Sequence, residues 1–98
     1  EVGHKPALIV GVSASRGGTY PVDELRISSY KNNHLCYIPE HLIIREAEKM
    51  FGETMSGPDD EYIRARADFA LRNLTAYAKA MVPLHDGSLL DKKYPFGM

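Results

Sequence analysis

The sequence predicts an α/β domain built on a parallel sheet. The first observation is the apolar run Ala7–Val12, which does not alternate and is followed by a glycine-bearing loop. Such a run is typical of a strand that is covered on both faces of a parallel sheet. The second observation is a long amphipathic pattern over residues 58–81, with a further strand pattern before it. The order strand, helix, strand, helix predicts a parallel crossover unit.

Residues 6–31 are predicted to form a strand, a loop and a helix. The loop Ser13–Gly18 is small and polar, and its two glycines can adopt positive φ and let a ligand approach the backbone. Pro21 suits the first turn of the helix, which is expected to run from Pro21 to about Lys31. Because ligands of open α/β sheets bind at the carboxyl ends of strands, this loop is the predicted functional site.

Residues 34–51 are predicted to form a strand and a short helix. The strand is His34–Ile38, and Pro39 is expected to end it. Cys36 lies inside this apolar run, which predicts a small buried side chain rather than a reactive thiol. A short helix is predicted over Arg45–Phe51, with its apolar side chains turned inward. The apolar patch at 42–44 would either extend beside the sheet or pack across it.

The longest predicted helix runs from Pro58 to Met81. Pro58 and the acidic residues after it are typical of a helix start, and Ser56 is a candidate cap. Its apolar residues recur at helical spacing and predict the buried face: Ile63, Ala67, Ala70, Leu74, Tyr77, Ala78 and Met81. The arginines at 64, 66 and 72 are assigned to the solvated face. The tail 82–98 contains enough apolar side chains to predict contact with the domain or with a neighbouring subunit.

The composition bounds the class of protein. The chain has 98 residues, 44% hydrophobic and 26% charged, which is ordinary for one small globular domain. A net charge of −1 gives no broad basic field for nucleic acid. No apolar run approaches the roughly 20 residues that span a bilayer, so no membrane partner is predicted. Cys36 is the single cysteine, which excludes an intramolecular disulfide and predicts a cytoplasmic location.

The run Lys5–Arg26, KPALIVGVSASRGGTYPVDELR, resembles a known family. It is similar to the fourth strand and following loop of the flavodoxin-like NAD(P)H-dependent FMN reductases and the quinone/azo reductases. The resemblance implies a flavodoxin-like three-layer fold with a parallel sheet, of which only the C-terminal strand-helix-strand-helix part is present. It also implies transfer of hydride from NAD(P)H through FMN to a flavin, quinone or azo acceptor.

The same resemblance implies a flavin-contacting loop. The implied FMN-binding residues are Ser13, Ser15, Arg16, Gly17, Gly18 and Thr19. No catalytic acid or base and no metal ligand is implied, because FMN itself carries the hydride. A plain alternative for the loop is a tight strand-to-helix turn whose glycines serve only the backbone shape.

The family's phosphate-binding first loop and its middle loop have no counterpart in this sequence. The chain is therefore expected to be a C-terminal half that needs a complementary N-terminal half, or a chain that forms a homo-oligomer, and to be inactive alone. The alternative function is a non-catalytic α/β interaction module that assembles with a companion chain. A phosphate-binding domain that uses the same loop ranks lower, because no lysine follows the glycines.

Overall fold

The structure is a computed structural model, and it describes residues 3–29 and 33–95. The elements, in chain order, are β1 (Pro6–Val12), α1 (Thr19–Glu24) with a π-helical continuation (Leu25–Ser29), β2 (Cys36–Ile44) and α2 (Pro58–Met81). Short 3-10 turns occupy Ala47–Lys49 and Val82–Asp86. The protein is thus mixed α/β, as predicted. No helix within the described ranges is long and apolar enough to cross a membrane.

The sheet has two strands, and they are parallel. Pro6 pairs with Cys36 at one end and Val12 with Ile44 at the other, so both strands end at the same edge. The helix α1 packs on β1 beside Gly11, where a Cβ atom would lie only 3.2 Å from Cγ2 of Val22. The absence of a side chain at Gly11 therefore lets the helix and its leading loop approach the strand closely.

The core is formed where the two helices pack on the two-stranded sheet. Six apolar residues contributed by all four elements are buried: Ile9, Val22, Ile38, Leu42, Ile63 and Ala70. The long helix α2 contacts both strands and has the predicted bounds. On its predicted inner face Ile63 and Ala70 are buried, whereas Tyr77 is 41% exposed and lies at the margin of the packed face. Arg66, assigned to the solvated face, is instead half-buried and forms a salt bridge with Glu40 of β2.

The prediction that Pro39 ends the second strand is wrong, because β2 continues to Ile44. Ala7 pairs with Tyr37 and Ile9 pairs with His41, so the step between pairs is two residues on β1 and four on β2. Pro39 lies inside this irregularity, where its missing N–H removes no ladder hydrogen bond. The apolar patch at 42–44 is therefore the final part of β2.

Arg26 holds the irregular part of β2 in place. Its Nη2 atom donates to the carbonyl oxygens of Ile38 at 3.2 Å and Glu40 at 3.1 Å. These charge-assisted hydrogen bonds satisfy carbonyl groups around the proline. Arg26 thus has a structural role in joining the first helical segment to the second strand.

Replacing Arg26 with alanine is expected to lower the free energy of unfolding by about 2 kcal/mol, because partly buried carbonyl groups lose a charged donor. Denaturant unfolding measures this change. The matched control is Arg72→Ala, since among the described residues Arg72 pairs only with Asp68 and both side chains are about 70% exposed. That control is expected to cost no more than about 0.5 kcal/mol. Equal effects of the two substitutions would show that β2 does not depend on Arg26.

Two further predictions about the first half need correction. Cys36 is exposed rather than buried, because it is the first residue of β2 and lies at the end of the sheet. The helix α1 begins at Thr19, two residues before Pro21, because Gly18 adopts a φ of 105° and turns the chain at that point. The predicted helix end near Lys31 lies outside the described residues.

Asp60 organises the segment between β2 and α2. Its side chain is buried and accepts hydrogen bonds from the backbone N–H groups of Phe51 at 2.9 Å and Ser56 at 3.0 Å, and from Nε of Arg64 at 3.0 Å. The two backbone donors and the Arg64 guanidinium hold the pKa of Asp60 below its usual value, against the opposing effect of burial.

The segment differs from the prediction in three respects. Ser56 is not the helix cap: the N-cap residue is Gly57, and no side chain caps the helix. Phe51 is not turned inward but is 43% exposed; it adopts a φ of 59°, and its N–H donates to the Asp60 carboxylate. In this segment the predicted helix is reduced to the 3-10 turn Ala47–Lys49.

Over the described residues of the tail, 82–95, the large apolar side chains remain exposed to solvent. Leu84, Leu89, Leu90 and Tyr94 are between 36% and 65% exposed. The predicted contact of the tail with a neighbouring subunit stays a prediction.

Candidate functional site

The loop Ser13–Gly18 lies at the carboxyl edge of the sheet, next to the segment that follows β2. Three backbone hydrogen bonds join them: the Ser13 N–H donates to the Ile44 carbonyl at 2.8 Å, the Glu46 N–H to Ser15 at 2.8 Å, and the Ala47 N–H to Ser13 at 3.0 Å. The loop is therefore held against the second strand rather than extending freely into solvent.

Arg45 adds a side-chain connection to the same loop. Its Nε donates to the carbonyl oxygen of Arg16 at 2.8 Å, and its Nη2 lies 3.4 Å from Oγ1 of Thr19. Sequence analysis missed this residue as part of the site. The available signal was its position directly after an apolar run, because residues that follow neighbouring parallel strands meet at one edge of the sheet.

A cleft of about 630 Å³ opens beside this edge. Its lining combines apolar, aromatic and charged side chains: Arg16, Ile43, Arg45, Glu46, Met50, Asp59, Tyr62 and Ile63. The strand β2, the turn after it and the first turns of α2 supply most of them. Tyr62 is 70% exposed, so its ring is available at the rim. The volume lies within the range of small-molecule and cofactor pockets.

The charged side chains of the cleft differ in whether they form a salt bridge within the protein. Glu46 forms a salt bridge with Lys49 at 2.8 Å, and this lysine, with a smaller contribution from Arg16, lowers the pKa of Glu46. Within residues 3–29 and 33–95, neither Arg16 nor Arg45 forms a salt bridge with a carboxylate. An anionic ligand would therefore not have to displace a carboxylate from either guanidinium group, although Arg45 already donates to the Arg16 carbonyl.

The structure describes all six predicted cofactor-binding residues, and of these six only Arg16 lines the cleft. The N–H of Ser13 is engaged by Ile44, and the N–H of Ser15 by Oγ of Ser13 at 3.2 Å. Thr19 contacts Arg45.

The two glycines of the loop differ from one another. Gly17 is exposed, whereas Gly18 is half-buried at a φ of 105°, where a Cβ atom would lie 3.0 Å from Cγ2 of Ile43. Gly18 therefore has a clear backbone role, which agrees with the tight-turn interpretation at that position.

Among the described residues, no group of three or more histidine, cysteine or acidic side chains is arranged to hold a metal ion. The lining of the cleft sets apolar side chains and a tyrosine beside two guanidinium groups, those of Arg16 and Arg45, and two carboxylates, those of Glu46 and Asp59. Comparison with family models, curated proteins and solved structures finds no match to this chain.

Proposed function

We propose that this chain supplies one side of the flavin site of an FMN-dependent oxidoreductase with a flavodoxin-like three-layer fold. The reaction would pass hydride from NAD(P)H through FMN to a flavin, quinone or azo acceptor. The observation that supports this proposal is the cleft at the carboxyl edge of two parallel strands, where apolar side chains lie beside Arg16 and Arg45. This is the place where open α/β sheets bind ligands.

FMN, when bound, supplies the hydride chemistry, so the protein has to bind the ring, orient it and tune its charge. Ile43, Met50 and Ile63 offer apolar contact to the ring and exclude water from it. Arg16 and Arg45 would supply the positive charge that stabilises the negative charge a flavin gains on reduction. Tyr62 lies at the rim, where its ring can stack on an aromatic ligand.

The two-stranded sheet leaves room for the remainder of such a domain. Val10 and Val12 are 46% and 64% exposed, although both belong to the continuous apolar run of β1. A complementary N-terminal half, or a second copy of this chain, would cover these side chains and complete the layer. The cofactor site is then assembled from both parts.

Replacing Arg45 with leucine is expected to raise the dissociation constant for FMN at least about tenfold, because a charged donor is lost beside the ring and the loop is released. Quenching of flavin fluorescence on titration measures the constant, using the protein made from its natural gene. The control is Lys79→Leu, which removes an exposed cation on α2 remote from the cleft. A colourless natural protein without affinity for FMN would overturn the proposal.

The second candidate function is a non-catalytic interaction module, and the exposed Val10 and Val12 favour it equally. The two functions differ in flavin dependence. A natural protein that assembles with a companion chain, buries these valines and oxidises no NAD(P)H in the presence of FMN would be such a module. Light scattering for the assembly and NAD(P)H absorbance for the activity separate the two.

A further inference from the structure

A second apolar stripe runs along the exposed side of α2. The buried face of this helix holds Ile63 and Ala70. Beside that face, five exposed residues recur at helical spacing and form what we call the outer stripe: Tyr62, Ala65, Phe69, Ala76 and Ala80. A helix that packs on a sheet through one face needs only one apolar stripe, so the outer stripe indicates a second packing surface.

The two halves of the outer stripe differ in size. The rings of Tyr62 and Phe69 occupy its first half, whereas Ala76 and Ala80, one turn apart, leave a shallow hollow in its second half. In helix packing, a large side chain of one helix fills such a hollow on another. Tyr62 cannot fill the hollow of its own chain, because fourteen residues of helix place it about 21 Å from Ala76. A second copy of the chain that runs in the opposite direction brings a tyrosine to each hollow.

The ring of Phe69, at the middle of the outer stripe, is already held in position. The guanidinium carbon of Arg66 lies 5.5 Å from the centroid of this ring, and Arg66 itself forms a salt bridge with Glu40 of β2. The ring therefore loses little conformational freedom when a partner packs against it, which lowers the entropic cost of association.

A row of charged residues beside the outer stripe indicates what the partner is. The row consists of four exposed residues, acidic in the first half of α2 and basic in the second: Glu61, Asp68, Arg72 and Lys79. Glu61 and Lys79 lie nine residues on either side of Ala70, and Asp68 and Arg72 lie two on either side. Two antiparallel copies of α2 centred there therefore set every acidic residue of the row opposite a basic one, whereas parallel copies set like charges together. Asp68 and Arg72 also pair within one helix, but that salt bridge is exposed and contributes little.

We propose that two copies of this chain associate through the outer stripes of their α2 helices, packed antiparallel about a two-fold axis near residue 70. In the register that matches the charges, Tyr62 of each copy lies between Ala76 and Ala80 of the second copy. Phe69 packs beside Phe69 of the second copy, close to the axis. The rings and the charges thus require the same register, and the two-fold symmetry forms each contact twice.

Sedimentation velocity of the full chain, without FMN, tests the association. The monomer has a mass of 11.0 kDa, and a species of twice this mass is expected to form as the concentration rises. Because one helix face per copy makes a small interface, we expect a dissociation constant of about 10 μM. Phe69→Glu and Ala76→Glu are each expected to raise this constant at least about tenfold, since each would bury a carboxylate in the interface.

The matched control for these two variants is Leu71→Glu. Leu71 is also exposed, but it lies two and a half turns after Tyr62 and therefore on the opposite side of the helix from the outer stripe. This substitution adds the same charge to the same helix. It is expected to change the dissociation constant by no more than about twofold.

An exchange of charges tests the antiparallel register. Glu61→Lys is expected to raise the dissociation constant about fivefold, because it faces Lys79 of the second copy, and the further change Lys79→Glu is expected to restore it. Within one chain these two residues are about 27 Å apart along the helix, so only a contact between copies explains the restoration.

Three results would overturn the proposal. A chain that stays at 11.0 kDa up to about 1 mM would assign the outer stripe to a different partner. A dimer that tolerates both Phe69→Glu and Ala76→Glu would have its interface elsewhere, for example at Val10 and Val12. A failure of Lys79→Glu to restore the dimer would exclude the antiparallel register. Because all these measurements are made without FMN, their outcome is independent of the proposed flavin site.

Discussion

Replacing Gly11 with alanine is expected to lower the free energy of unfolding by about 2–3 kcal/mol, because the added methyl group has no room. Its Cβ would lie 2.6 Å from the carbonyl oxygen of Gly18 and 3.2 Å from Cγ2 of Val22. The first of these is a backbone atom at the start of α1, so the loop and helix must both move. For a chain of this length the change corresponds to a fall in Tm of about 10–20 °C.

The matched control is Gly17→Ala, in the same loop. The nearest atom to a Cβ there is Oγ of Ser13 at 3.5 Å, an ordinary contact. This control is expected to change stability by less than about 0.5 kcal/mol. Thermal unfolding followed by circular dichroism compares the two variants. If Gly11→Ala unfolded at the same temperature as the control, the close approach of α1 to β1 would not matter for stability.

Replacing Asp60 with asparagine is expected to lower Tm at neutral pH by at least as much as Gly11→Ala. The carboxylate accepts hydrogen bonds from two backbone N–H groups and from Arg64, and the substitution leaves Arg64 without its ionic partner. The matched control is Asp59→Asn: Asp59 is the neighbouring residue and is exposed. A Tm for Asp60→Asn close to that of Asp59→Asn would contradict the proposed role of the buried carboxylate.

The effect of Asp60 is expected to depend on pH. Because its pKa is lower in the folded chain than the usual 3.8, the folded state favours the ionised form. The resulting stability is fully present above the pKa of the unfolded chain and is lost as the pH falls through the lower, folded pKa. The difference in Tm between the wild type and Asp60→Asn should therefore be constant near neutrality and shrink below pH 3.8.

The sequence predicted best where local signals agree. The bounds of α2 follow from Pro58, the acidic residues after it and the regular apolar spacing up to Met81. The strand β1 follows from its continuous apolar character. The strand β2 was cut short because a proline usually ends a strand, and only pairing with β1 reveals that Pro39 lies in an irregularity.

The candidate site was predicted only in part, because the residues that line the cleft opposite Arg16 are distant from the loop in sequence. Arg45 meets Arg16 across 29 residues, a contact that no local spacing indicates. Similarly, three acidic residues follow Pro58, and the sequence alone does not show which is buried. Asp60 is the buried one, and the backbone N–H groups of Phe51 and Ser56, which precede the helix, donate to its carboxylate.

The irregularity in β2 also preserves the inside–outside alternation of the strand. Side chains of a strand alternate between its two faces, so an insertion of one residue would exchange the faces of everything that follows. Between the pairs Ala7–Tyr37 and Ile9–His41, β2 advances by four residues while β1 advances by two, so β2 contains two extra residues. Leu42 and Ile44 therefore keep the orientation that an uninterrupted strand would give them. Removing one residue at 38–40 would reverse that orientation, whereas removing two would retain it.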